Sequence, residues 1–89
     1  MKIRLTKLQV YPELSEETTC FTANVLISGV WRGRVKNDGR GGANDYWPAT
    51  LRDTLQGYAA TLPPVDWEGL PIQPDADWII CEQLEKQTA

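Results

Sequence analysis

The chain reads as an α+β fold, a three-stranded antiparallel sheet followed by two helices packed on one face, in the order β-β-β-α-α. Three observations predict it. Apolar residues alternate with polar ones through residues 2–11 and again through 19–37, the period of a half-buried strand. Ser28-Gly29 interrupts the second stretch where a hairpin would turn. Apolar residues then recur at three- and four-residue spacing over 48–62 and 76–84, the period of an amphipathic helix. A length of 89 residues fits a single small domain, 1–89.

Each element has its own grounds. Ile3 and Leu5 alternate with charged residues, then Leu8 and Val10 take the opposite parity, so a bulge is expected near Thr6–Lys7. Pro12 ends the strand and Glu13–Glu17 forms a polar loop. In the hairpin, a two-residue loop Ser28–Gly29 would pair Val25 with Arg32. That register sets Arg32, Arg34 and Lys36 on the face of Phe21, Ala23 and Val25. A three-residue loop, with Gly29 as its left-handed residue, pairs Leu26 with Val30, Val25 with Trp31, Ala23 with Gly33 and Phe21 with Val35. The basic trio then points away from the core, and this register is the expected one. Gly33 would leave room for a bulky helix side chain, an aromatic, to lie across the sheet.

Residues 37–47 are too rich in glycine for regular structure and read as a loop. Pro48 suits a helix start. Leu51, Leu55, Tyr58, Ala59 and Leu62 mark the inner side of a helix over 48–62, with Gly57 expected to pack close to the sheet. Pro63-Pro64 stops it. Pro63, Pro64, Pro71 and Pro74 make 63–74 a stiff extended crossing in which Val65, Trp67, Leu70 and Ile72 are expected to be buried. Asp75 is placed to cap a second helix, with Asp77 favourable in its first turn and Ala76, Ile79, Ile80 and Leu84 facing inward. Of the four tryptophans, Trp31 and Trp78 read as core; Trp47 and Trp67, which flank the first helix, are open to partial exposure, with core burial the stronger reading for each.

Composition excludes several function classes. There is no histidine, which removes His-based triads, His general bases and most zinc sites. Cys20 and Cys81 are too few for a structural zinc site, and their spacing does not suggest a disulfide framework. No cofactor or metal is expected, and binding is favoured over catalysis. The apolar runs are too short to span a membrane and the start is too charged for a secretory leader, so a cytoplasmic protein is predicted. The net charge of −3 conceals an asymmetry. Residues 1–44 carry seven basic and four acidic side chains; residues 45–89 carry two basic and eight acidic. An acidic face could dock on a basic partner.

The most specific stretch is Asn37-Asp38-Gly39-Arg40-Gly41-Gly42-Ala43-Asn44. Successive N–H groups at Asn37, Gly39, Arg40, Gly41 and Gly42 could form an anion nest, with the Arg40 guanidinium as an added donor. The spacing is neither that of a P-loop nor that of a dinucleotide fingerprint. The plainer reading is a tight connection whose Asn and Asp side chains bond the backbone. For a protein partner, Arg40, Asn44, Tyr46 and Trp47 supply the residue types of a binding hot spot, and Asp66, Glu68, Asp75 and Asp77 supply charge. Nucleic acid is disfavoured, because the expected register places Phe21 and Trp31 on the opposite side of the sheet from Arg32, Arg34 and Lys36. Oligomeric state is left open between monomer and homodimer.

Glu17-Thr18-Thr19-Cys20-Phe21-Thr22-Ala23, then Ser28-Gly29, Gly33 and Asn37-Asp38-Gly39-Arg40-Gly41-Gly42, resembles a pattern in small uncharacterised proteins of phages, prophages and mobile elements. The resemblance covers residues 16–47, about a third of the chain. It carries over no catalytic residue. It implies a genomic setting in which small acidic proteins often bind and block host proteins, including inhibitors of defence systems such as anti-CRISPR proteins.

Overall fold

The computed structural model describes residues 2–88. The elements are β1 (Ile3–Val10), a 3-10 turn (Pro12–Leu14), β2 (Phe21–Ile27), β3 (Val30–Asn37), β4 (Asp45–Trp47), α1 (Ala49–Ala59), β5 (Val65–Trp67), β6 (Leu70–Ile72) and α2 (Ala76–Thr88). The fold is α+β. Its main sheet is antiparallel in the order β1-β2-β3-β4, and β5 and β6 form a separate two-stranded hairpin. The expected three-stranded sheet is therefore corrected to four strands plus a hairpin. The fourth strand lies inside the stretch read as loop: Asp45–Trp47 pairs with Lys36, Val35 and Arg34. Three residues are too few to show a period, so only pairing with β3 reveals it.

The bulge in β1 falls where expected. Its register against β2 shifts between Thr6 and Gln9, and Lys7 takes φ 49. Leu8 and Val10 thereby turn to pack against the core. β1 is an edge strand, and its free side is partly covered. The Gln87 side chain accepts from Leu5 N–H at 2.9 Å and donates to Leu5 O at 2.8 Å. This amide occupies the ladder positions that a further strand would use.

The β2–β3 hairpin corrects the expected register. Ile27 pairs with Val30, so the loop is the two residues Ser28–Gly29. Both take positive φ, 51 and 83, as a type I′ turn requires. The extra residue sits further along, in β3: Leu26 pairs with Trp31 and Val25 with Gly33, leaving Arg32 unopposed. Beyond it, Val25 faces Gly33, Ala23 faces Val35 and Phe21 faces Asn37. The apolar face is rescued as expected, but by a bulge rather than by a longer turn. The two-residue turn pairs Trp31 with Leu26 and so puts it outward, at 49 % exposure; Trp31 is not a core residue. Trp78 is half-buried against the core.

Both helices cover the same face of the sheet, α1 beside β4 and α2 beside β1. Leu5, Val25 and Val35 from the sheet and Leu55 and Ile80 from the helices are fully buried between them. Each such side chain contributes about 1.5–3 kcal/mol. Gly33 makes the layers fit. A Cβ there would collide with the Trp47 carbonyl oxygen and stand 2.9 Å from Leu51 Cδ2. The space is filled by backbone and an aliphatic side chain, not by the expected aromatic. Nothing lies within 4 Å of a Cβ at Gly57 and that residue is exposed, so the close packing expected there is absent.

Helix ends are bonded reciprocally. Pro48 is the N-cap of α1, which ends at Ala59 rather than at 62. Gln73 Nε2 donates to Ala59 O at 2.9 Å and Leu62 O at 3.1 Å, tying the turn after α1 to the segment before α2. Gln56 Oε1 in turn accepts from Ala76 N–H at 3.1 Å at the start of α2. Asp75 caps α2 as expected, its Oδ1 accepting from Trp78 N–H at 2.7 Å.

The segment 63–74 departs most from expectation. It is a tight hairpin, with Val65 opposite Ile72 and Trp67 opposite Leu70. Trp67, Leu70 and Ile72 are exposed. The turn at Glu68–Gly69 folds the segment back on itself, so its apolar side chains meet each other instead of the core.

The two glycines give a paired prediction. Gly33→Ala should lower stability by about 1–3 kcal/mol, since the layers have no room for the methyl group. Gly57→Ala should raise it by about 0.5–1 kcal/mol. Urea unfolding of both variants measures the contrast.

Candidate functional site

The glycine-rich loop is a closed structure built around Asn37, which is 7 % exposed. Asn37 Oδ1 accepts from Thr18 Oγ1 at 2.7 Å and from Gly39 N–H at 2.8 Å. Its Nδ2 donates to Gly42 O at 3.0 Å and to Asn44 Oδ1 at 2.9 Å. The loop also grips the segment before β2. Gly39 O accepts from the N–H groups of Glu16, Glu17 and Thr18 at 2.9, 2.8 and 3.3 Å. Gly39 has φ 83, and a Cβ there would strike the Leu14 carbonyl oxygen. Both the conformation and the close approach call for glycine.

The N–H groups that could have made an anion nest are largely engaged. Gly39 N–H bonds Asn37, Arg40 N–H bonds Asp38 Oδ1 at 3.1 Å, and Gly41 N–H bonds Thr18 Oγ1 at 3.3 Å. Thr18 and Glu17 belong to one half of the sequence pattern and Asn37–Gly42 to the other. Their juxtaposition gives the pattern a structural meaning, a latch that holds residues 15–18 against the end of β3.

From this latch a hydrogen-bond chain runs to α2. Asn44 Nδ2 donates to Tyr46 Oη at 3.5 Å, and Tyr46 Oη donates to Asp77 Oδ1 at 2.6 Å. Burial, then the bond to Asp77, pushes the Tyr46 phenol well above its ordinary value near 10. Among the proposed partner contacts, Asn44, Tyr46 and Asp77 are thus joined to one another inside the fold. Asp75 is exposed but serves as the helix cap. Arg40, Trp47, Asp66 and Glu68 are exposed.

Trp47 is not alone. Its ring centroid lies 6.4 Å from that of Trp31 at an interplanar angle of 49°. The Arg34 guanidinium sits 5.1 Å from the Trp47 ring centroid, within cation–π range. Paired strand residues share a face. The pairs Leu26–Trp31, Asn24–Arg34, Thr22–Lys36 and Arg34–Trp47 therefore place these aromatics and cations together on the outer face, away from the helices. Lys7, Asn24, Arg34, Lys36, Asp45 and Trp47 line an open groove there of about 680 Å³. The separation of aromatics from cations expected from the sequence is corrected: the bulge at Arg32 interleaves them. Sequence reasoning missed Trp31 and Arg34 as surface partners of Trp47. Their signal was present, a basic–aromatic stretch Trp31–Lys36, but its facing depended on the register.

Cys20 and Cys81 are free. Burial and the neighbouring Glu85 push the Cys81 thiol up, away from the thiolate a nucleophile needs. Among the described residues no group of three His, Cys, Asp or Glu could hold a metal ion, and no helix is long and apolar enough to cross a membrane. Comparison with family models, curated proteins and solved structures finds no match.

Two predictions follow from the polar chain. Asn37→Asp replaces two buried donations with an acceptor facing the acceptors Gly42 O and Asn44 Oδ1, and should cost at least about 2 kcal/mol in urea unfolding. For Tyr46, the raised folded value means that its contribution is complete below pH 10 and is lost as pH rises from there through the folded value. Tyr46→Phe should therefore cost about 1–2 kcal/mol at neutral pH. Above pH about 10 its deficit relative to the parent protein should shrink, as read from unfolding midpoints across alkaline pH.

Proposed function

We propose that this chain is a non-enzymatic, phage- or prophage-type protein that binds a host protein and blocks it. The observation that carries this reading is the Trp31–Trp47–Arg34 cluster, exposed on a sheet face that the helices leave open. Trp and Arg are enriched among residues that dominate binding energy, and Arg34 stands over the Trp47 ring. The flanking Lys36 and Lys7 favour a target with an acidic rim, which would speed association and set orientation. The genomic setting implied by the sequence pattern points to a defence system as the target class, in the manner of anti-CRISPR proteins. Arg40, in the loop between β3 and β4, adds an exposed cation to the same reading.

Two other occupants have specific support. Aromatics interleaved with Arg34 and Lys36 on one face suit a single nucleic-acid strand. An anion or nucleotide on loop 37–45 retains Arg40 in its favour, but three of the loop's N–H groups are engaged internally.

The test is affinity purification from bacterial lysate with the full chain and with Trp31→Ala/Trp47→Ala. A stoichiometric protein partner is expected, and the double variant should bind the purified partner about 100-fold more weakly. Equal binding by the double variant, or no stoichiometric partner, overturns the reading. An oligonucleotide affinity that falls steeply with salt and needs Trp47 assigns the face to nucleic acid instead.

A further inference from the structure

The β5–β6 hairpin leaves its apolar side without a partner. Trp67, Leu70 and Ile72 are 63, 65 and 41 % exposed. The pairs Trp67–Leu70 and Val65–Ile72 gather these side chains on one face. A hairpin with three-residue strands has little stability of its own, and a cluster of this kind marks an association surface. Asp66 and Glu68 flank Trp67 in sequence and make the arm acidic, Glu68 at its turn and Asp66, paired with Pro71, on the reverse of the apolar side.

The outer face of the main sheet has the converse character. Trp31 and Trp47 are 49 and 58 % exposed, beside Arg34, Lys36 and the Asp45 that pairs with Lys36. One chain thus carries an acidic apolar arm and a basic aromatic face. Within one molecule they do not cover each other: Trp47 precedes α1 and Val65 follows it, and Trp31, Trp47, Trp67, Leu70 and Ile72 are all exposed.

We infer that two copies of this chain pair, the arm of each docking on the outer sheet face of the other. A two-fold arrangement makes the contact twice. The occupant is a second copy because the same sequence supplies both halves, matched in apolar character and opposite in charge, and because the basic and acidic side chains divide between its two halves in the same sense. Pairing through the free edge of β1 is obstructed by the Gln87 amide. The inference goes beyond the host-protein reading and does not depend on it. It adds that a host partner seated on Trp31 and Trp47 competes with self-association.

Sedimentation of the purified full chain over a concentration series tests this without any host component. The expected result is a reversible shift from 10.0 kDa to twice that mass. Trp67→Ala and Asp66→Lys/Glu68→Lys should each weaken association at least tenfold, as should Arg34→Glu/Lys36→Glu, with far-ultraviolet circular dichroism unchanged. All four charge reversals in one chain should restore the dimer. A monomer at all concentrations in low salt overturns the inference and leaves the arm for a different protein. A dimer indifferent to Trp67→Ala, or charge reversals that do not rescue each other, overturns it equally.

Discussion

Arg32 has no partner across the β2–β3 hairpin, and this one extra residue sets the facing of everything after it. Because side chains alternate along a strand, a single unopposed residue exchanges the two faces of the remainder. Downstream of it Gly33, Val35 and Asn37 face the core and Arg34 and Lys36 face out. Gly33 then lies where the chain crosses from β4 into α1, and its missing side chain lets the Trp47 carbonyl and Leu51 come down onto the sheet. Asn37 arrives buried at the end of β3, where only a satisfied amide is tolerated. Without the bulge, three cations would be directed at the core.

The buried amide explains the form of the loop that follows. Asn37 has two acceptor directions and two donor hydrogens, and all four are used. The loop is glycine-rich because the chain must wrap closely around that side chain while Gly39 offers its carbonyl to three successive N–H groups. A motif that looks made for an anion is in this fold a latch, and the chain Asn44–Tyr46–Asp77 extends the latch to the start of α2. Among the described residues no buried side-chain polar atom lacks a partner. The loop's chemistry is spent on holding the domain together, which moves the weight of the functional argument to the exposed sheet face.

Charge follows the same division. The basic half, which holds β1 to β3, presents Arg34 and Lys36 beside Trp31, with Trp47 of β4 next to them, and the acidic half presents Asp66 and Glu68 near Trp67. What they offer is area, aromatic anchors and complementary sign, the means by which small proteins bind others.

Much of this was legible from residue order alone. Alternation in β1, β2 and β3, the bulge at Lys7, the inner side of α1 and the Asp75 cap are local consequences of periodicity and backbone chemistry, and the chain carries them within a few residues. Four features were not legible. The place of the β3 bulge depended on which neighbour each residue met. β4 is too short to have a period and exists only because β3 offers it an edge. The Gly57 approach was expected from a local cost, yet no neighbour comes near. The apolar residues at 65–72 were expected inside, but a tight turn closes them on each other before they can reach the core. The sequence by itself determined the fold class, the core-facing residues of β1, β2 and the two helices, and the absence of histidine chemistry. Tertiary structure alone decided that Trp31, Trp47 and Arg34 share an open face, because one unopposed residue reverses the facing of a strand and nothing local marks which residue that will be.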